Sequence, residues 1–286
     1  RDLQKAAPGP LFFRQHDITQ AEPAAGRLKY GKVSFDVHLE EGSNTMEIFI
    51  QQVINGLVLG SMYALVALGY TMVYGVLNLI NFAHGDVLMI GAMSGLTILN
   101  LLNAAVPEWP GVVRLSIAIA GAIPVCILVN IVIERVAYRP LRNAPRLAPL
   151  ITAIGVSILL QTLGMIIWGR NPLPFPQVLP SDPIAIMGAL ISPTQVMLLL
   201  LAAVAMGALA LLVEKTRVGR AMRATAENPR LAGLMGVDPD RVIVLTFAIG
   251  AALAAVAGVM WGANYSSAQF AMGFGPGLKA FSAAGM

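Results

Sequence analysis

Residues 48–70 read IFIQQVINGLVLGSMYALVALGY and contain no charged side chain. A helix needs about 20 mainly apolar residues to cross the hydrocarbon core of a bilayer. Similar runs recur at about residues 86–103, 112–133, 148–168, 194–213 and 241–262. A shorter run with some polar residues lies at 71–83, and a last run begins near Phe274. The pattern predicts an all-α fold, a polytopic bundle of transmembrane helices.

The composition agrees with a membrane protein. Hydrophobic residues make up 57% of the chain and charged residues 12%, against about 25% charged in soluble domains. A single cysteine, Cys126, excludes a disulfide within the chain and any metal site built from several cysteines. The net charge of +4 is too small to predict nucleic acid as a partner, whereas lipid is expected.

The polar residues 1–45 differ from the rest. They hold six Lys/Arg and six Asp/Glu, and the composition changes abruptly at Met46. Because this piece has too few apolar residues for a core of its own, it is interpreted as an N-terminal extension that is not part of the membrane domain at 46–286. The ending KAFSAAGM has no helix stop and no charged flank, so the membrane domain is expected to be incomplete at its C-terminus.

The loops between the runs indicate the orientation. Arginine is concentrated in the loops at 134–147 and 214–241, whereas the loops at 104–111 and 169–193 carry few charges. By the positive-inside rule the two arginine-rich loops are cytoplasmic and the other two are external. The side on which Met46 lies stays open, because residues 48–83 could cross the membrane once or twice.

The second cytoplasmic loop predicts a short, well-capped helix at about residues 228–236. Asn228 can cap its start with Pro229 at the first position, Gly236 fits just past its end, and Asp238 can cap the next helix. The apolar side chains are Leu231, Leu234 and Met235, bordered by Glu227 and Arg230. This apolar face either packs on the protein's own loops or on lipid, or docks into a groove on a cytosolic partner.

Three longer stretches carry a family resemblance. They are YGVLNLINFAHGD (74–86), IERVAYRPLR (133–142) and GRAMRATAENPRLAGLMGVDPDRVIVLTFAIGAALAAVAG (219–258). Over about residues 46–279 the chain resembles the membrane permease subunit of branched-chain amino acid ABC importers. Closely similar urea and short-chain amide permeases share these stretches, so the resemblance is less specific for the substrate.

The resemblance implies several partners. It implies a second homologous permease subunit, cytosolic ATP-binding subunits and a periplasmic substrate-binding protein, assembled at the bacterial inner membrane. It also maps residues 228–236 onto the coupling helix that inserts into an ATPase. No cofactor is implied.

Within the apolar region, NLINFAHGD places four polar side chains: Asn78, Asn81, His84 and Asp86. Unpaired polar groups are costly there, and glycines nearby indicate a broken or bent helix that faces protein or a watery cavity. Three roles are considered for these four residues. They hold the break, with Asp86 at the N-terminal end of the next helix; they line the translocation path; or they lie at a subunit interface. A regular helix would point His84 and Asp86 to different sides.

The motifs absent from the sequence narrow the function. Without GxxxxGK[ST] the chain has no phosphate-binding loop, so ATP hydrolysis is expected on a separate subunit. With only three histidines, no metal site and no catalytic residues are predicted, and the chain is not interpreted as an enzyme. Two alternatives remain: a proton-coupled secondary transporter using His84 and Asp86, and an assembly subunit without a path.

Overall fold

A computed structural model describes residues 43–77, 81–142, 144–145, 147–180, 182–186 and 188–284. Among these residues the helices are α1 (Ser43–Leu77), α2 (His84–Ala105), α3 (Gly111–Ile133), α4 (Leu147–Trp168), α5 (Pro193–Lys215), α6 (Arg217–Glu227), α7 (Pro229–Leu234), α8 (Pro239–Tyr265) and α9 (Phe274–Ala284). Six of them, α1 to α5 and α8, are long and apolar enough to cross a membrane. The predicted all-α membrane bundle is confirmed.

Helix α1 is continuous through the first two predicted runs. Residues 71–77 form its last turns, so of the two alternatives left open for residues 48–83 the structure has one continuous helix as far as Leu77. The stretch TMVYGVL contains no proline and one glycine, and nothing local ends the helix before Leu77. Its 35 residues make a rod of about 52 Å, longer than the hydrocarbon core of about 30 Å.

The start of α1 precedes the predicted domain boundary by three residues, at Ser43 rather than Met46. Residues 1–42 lie outside the described residues, as does Asn78. The interpretation of residues 1–45 as an extension therefore stays a prediction.

The outer end of the bundle is identified by contacts of α1. Gln51 Nε2 donates to the carbonyl oxygen of Leu190 at 3.0 Å, and the amide of Leu190 donates back to Gln51 Oε1 at 2.8 Å. Leu190 belongs to the loop at 169–193, which the charge pattern places outside. With that loop taken as external, α1 as one span would have Met46 on the external side and Leu77 on the cytoplasmic side.

Helices α2 and α8 pack backbone to backbone at the centre of the bundle. A Cβ atom added at Gly258 of α8 would meet the backbone of Leu88 and lie 2.8 Å from Ala92 N, and one added at Gly91 of α2 would lie 2.8 Å from Ala255 Cα. Small residues at such contacts allow close approach in lipid. By contrast α4 and α5 expose most of their side chains.

Four short strands lie in the segments that follow α4 and α8, on the side expected to be external. Strand β1 (Leu173–Pro174) pairs antiparallel with β4 (Ser267–Ala268), and β2 (Ile184–Ile186) pairs with β3 (Ala189–Ile191). The first pair ties the loop after α4 to the end of α8. After β4 the chain turns back into the bundle, since Gly273, just before α9, contacts the backbone of Gly85 in α2.

Candidate functional site

The break predicted from NLINFAHGD falls between α1, which ends at Leu77, and α2, which begins at His84. The start of α2 lies deep in the bundle. His84, the first residue of α2, is fully buried between α1 and α8. Its imidazole fills the space that a side chain at Gly69 would occupy, and it lies in van der Waals contact with the position of a Cβ at Gly250. Gly250 lies in the middle third of α8, whereas α1 continues to Leu77, about 12 Å beyond Gly69. Helix α2 therefore starts beside the middle of α8 and not at the end of the bundle.

Asn81 ties the break to the end of α3. Its side-chain oxygen accepts from the amide of Ala83 at 3.1 Å and from the Tyr138 hydroxyl at 2.9 Å. The Tyr138 ring packs against Phe247 of α8, with ring centroids 5.6 Å apart. Phe247 also receives a hydrogen bond at its carbonyl oxygen, 2.7 Å from Asn130 Nδ2 of α3. These bonds reduce the cost of placing polar groups in an apolar interior, although Asn81 Nδ2 and Asn130 Oδ1 have no partner among the described residues.

Asp86 is buried on the other side of α2, against α4. Its Oδ1 accepts from Gln161 Nε2 at 3.0 Å, and Gln161 also donates to Ser157 Oγ at 3.3 Å. Both α4 residues lie in the middle third of that helix, which again places the break at mid-depth.

Asp86 lies in the first turn of α2, the position expected for it from the sequence. No side-chain cap bond is formed at the start of α2, where Ala83 has helical dihedral angles; the carboxylate of Asp86 turns to α4 because Gln161 offers a donor there. His84 and Asp86 do not hydrogen-bond to each other, and both imidazole nitrogens of His84 and Oδ2 of Asp86 have no hydrogen-bond partner among the described residues.

Two helix starts meet at this depth. Gly85 of α2 touches both Gly273, which precedes α9, and Gly277 within it. Helix N-termini carry partial positive charge, so a carboxylate in the first turn is stabilised there. Asp86 occupies such a position in α2. The result is an acidic side chain inside the bundle with one oxygen that lacks a partner among the described residues; ionisable groups inside membrane bundles are typical of substrate or ion pathways.

The cytoplasmic end presents α7. Asn228 Oδ1 accepts from the amides of Arg230 and Leu231 at 3.0 and 3.2 Å, with Pro229 at the first position. The helix is closed by Gly236 with φ of +85° and by a bond from the Val237 amide to the Ala232 carbonyl oxygen at 3.0 Å. These caps are the ones that the sequence predicts.

The apolar side chains of α7 are open to solvent. Leu234 and Met235 are each 84% exposed and Leu231 is 58% exposed; Glu227 and Arg230 beside them are exposed as well. This observation argues against packing of the face on the protein's own loops among the described residues, and it leaves lipid or a partner as its cover.

An ionic cluster joins α3 to α8 just above α7. Arg142 binds both Glu134 and Asp240, and Arg139 binds Asp240 at 2.7 Å. The side chain of Glu134 is 0% exposed, and it begins a π-helical turn that ends at Tyr138. Asp238 caps α8, accepting from the Asp240 amide at 3.0 Å.

The sequence analysis did not single out the partners of the break: Tyr138, Asn130, Ser157 and Gln161. A usable signal existed for two of them. Asn130 and Gln161 are isolated amides within long apolar runs, and such residues in membrane helices commonly bond across a helix interface.

Comparisons with known proteins agree with this architecture. The family described as "Branched-chain amino acid transport system / permease component" matches residues 52–284. The chain is 42% identical over 240 residues to the high-affinity branched-chain amino acid transport system permease protein BraD of Pseudomonas aeruginosa, covering 82% of this chain and 78% of that protein. It is 43% identical over 241 residues to LivH of Escherichia coli, named in the same way, with the same coverage. No solved structure matches the chain.

Proposed function

The chain belongs to the permease family of branched-chain amino acid transport systems, and we propose that it helps form the translocation path of an ATP-driven importer for branched-chain amino acids. The observation that carries the proposal is the family match over nearly all described residues. The bundle of six membrane-spanning helices supports it. The names of the relatives favour branched-chain amino acids over urea or amides as the cargo.

The energy of transport is proposed to enter through α7. A short helix that exposes two large apolar side chains in water is stabilised when a partner buries them. In an ATP-driven importer this partner is a cytosolic ATP-binding subunit, and the capped ends of α7 present Leu234 and Met235 in a fixed orientation. A second permease subunit would complete the path, and a substrate-binding protein would deliver cargo at the external strands. The membrane is then the bacterial inner membrane, where ATP is available on one face.

Docking is tested by co-purification of the ATP-binding subunit with Leu234→Asp. The substitution places a charge at a site that is 84% exposed, so folding should be unaffected while co-purification falls at least about ten-fold, the loss expected when one partly buried apolar contact of about 1.5 kcal/mol is replaced. Leu190→Asp is the matched control, because Leu190 is 53% exposed on the external side. Undiminished co-purification of Leu234→Asp, or equal loss in both variants, would refute docking through α7.

The break around Asn81, His84 and Asp86 is proposed to border the path. A carboxylate at mid-depth with an oxygen that lacks a partner among the described residues is a group that passing cargo could contact. Asp86→Asn keeps the size and one acceptor, and it should reduce uptake by the reconstituted importer while the protein still folds. Glu108→Gln, in the external loop, is the control. Normal uptake by Asp86→Asn would rule out a role that depends on the charge.

The competing proposal of proton coupling through His84 and Asp86 has a direct test. Vesicles with an imposed proton gradient and no ATP should not accumulate leucine if the importer is ATP-driven. Accumulation of leucine under these conditions, by vesicles that contain the chain and no ATP-binding subunit, would refute the ATP-driven importer and support proton coupling.

A further inference from the structure

A groove runs along the membrane surface of the protein at its cytoplasmic end. It lies between the last part of α3 and the first part of α8, with a volume of about 590 Å³. Ile131 of α3 and Leu245 and Ala248 of α8 line its deeper part. Arg135, in the π-helical turn that follows α3, and Arg241 of α8 line the shallower part.

The groove changes character with depth. Ala248 lies nine residues into α8, about 13 Å along the axis, so the apolar walls reach well into the hydrocarbon layer. The arginines lie at the level where lipid headgroups begin, and their long side chains can extend toward that layer. The apolar walls match the acyl chains of a phospholipid, and the arginines match its phosphate.

The charged side chains that line the groove carry a net positive charge. Three arginines, Arg135, Arg139 and Arg241, line the groove together with Asp238 and Asp240. Arg139 binds Asp240, and Arg241 binds Asp238 at 3.0 Å. Arg135 forms no ion pair with any described residue, so one positive charge is left over beside the groove.

From this geometry we propose that the groove between α3 and α8 binds an anionic phospholipid, with the phosphate at Arg135 and Arg241 and an acyl chain along Ile131, Leu245 and Ala248. Basic pockets between membrane helices on the cytoplasmic side recognise anionic headgroups in this manner. The site borders the ionic cluster of Arg139 and Asp240, so the bound lipid would touch the same helix ends that hold the break.

The test uses the full chain with its co-expressed partners in nanodiscs of phosphatidylcholine. The probe is a phosphatidylglycerol with a photoreactive diazirine in its acyl chain. Labelling should fall on peptides containing residues 131 and 245–248, and unlabelled phosphatidylglycerol should compete, whereas inorganic phosphate and phosphatidylcholine should not. Competition by inorganic phosphate would identify a simple anion site, and equal labelling by a phosphatidylcholine probe would identify ordinary annular lipid; either result overturns the proposal.

Three variants sharpen the test. Arg135→Gln with Arg241→Gln should weaken labelling at least about five-fold, the effect of one arginine near an anionic surface. Ala248→Trp fills the deep end without altering the charges and should also abolish labelling, while Arg170→Gln, on the external side, should leave it unchanged. Labelling of the isolated chain that disappears in the assembled complex would mean that a partner subunit covers the groove, and it would overturn the lipid assignment.

Discussion

Replacing Arg142 should destabilise the protein strongly, because it leaves Glu134 without its partner. The side chain of Glu134 is 0% exposed and that of Arg142 is 19% exposed. Removing one member of a buried ion pair costs about 3–5 kcal/mol, since the remaining charge stays buried and unpaired. Arg142→Gln is expected at the lower end, near 3 kcal/mol, because a glutamine can still donate one hydrogen bond.

Replacing Glu134 instead of Arg142 should destabilise the protein less. In Glu134→Gln the guanidinium of Arg142 keeps Asp240, whose Oδ1 lies 2.5 Å from Nη1, and roughly 1 kcal/mol is expected for one lost hydrogen bond. The double variant removes both charges together. It should therefore be more stable than Arg142→Gln alone, which corresponds to a coupling energy of about 2 kcal/mol between the two sites.

Cys126 provides the measurement. It is the one cysteine of the sequence and it is fully buried, so a thiol-reactive dye reports unfolding on heating. A loss of 3 kcal/mol should lower the midpoint by about 6–12 °C for a chain of this size. The reasoning is refuted if Arg142→Gln melts within about 2 °C of the wild type, or if adding Glu134→Gln lowers the midpoint further instead of restoring it.

Three further changes use the same kinds of measurement. Gly258→Ala should cost roughly 1–3 kcal/mol because the methyl group would meet the backbone of α2, whereas Gly207→Ala has open space around it and should not lower the melting midpoint; equal midpoints would contradict the close contact. Asn228→Ala removes the cap of α7 and should cost that helix about 1 kcal/mol, seen as several-fold weaker co-purification of the ATP-binding subunit, and an unchanged yield would show that the cap is dispensable. Tyr138→Phe removes the donor to Asn81 and should lower the unfolding free energy by about 1 kcal/mol; no change in the midpoint would mean that Asn81 bonds elsewhere.

The features that the sequence predicts well are those with local causes. The caps of α7 depend on Asn228, Pro229 and Gly236, which act on backbone groups a few residues away. The spans likewise follow from continuous apolar runs. Local patterns can be interpreted without knowing what lies across the bundle, and for this reason the apolar runs predict α2 to α5 and α8 to within about three residues of their ends, whereas α1 is longer than its run and α6 is not predicted.

The depth of the break could not be predicted, because its causes are distant in sequence. Asp86 meets Gln161, 75 positions away, and Asn81 meets Tyr138, 57 positions away. A polar residue near the end of an apolar run is equally consistent with a helix that begins at the membrane surface. Gly69 decides the position, because its missing side chain makes room for the imidazole of His84. Such complementarity is visible only when the helices are packed together.

Helix α8 connects the exposed α7 to this break through contacts that are all close and mostly buried. Its first turn carries Asp240 in the ionic cluster, Phe247 stacks on Tyr138 and accepts from Asn130, and Gly250 abuts His84. Well-packed interiors switch between discrete arrangements rather than deforming gradually. We propose that a movement of α7 passes to α8 through the connection at residues 235–238 and along α8 to the part beside His84.

The small residues of α8 make such a shift feasible. Where large side chains interlock, one helix can move along another only by unpacking the contact, since ridges sit in grooves. At Gly250 and Gly258 the contact with α1 and α2 is made by backbone, so no side chain of α8 has to leave a hole at these two points. We propose that the run GAALAAVAG (250–258) permits sliding as well as close approach, so that adding a side chain at Gly258 should disturb movement as well as packing.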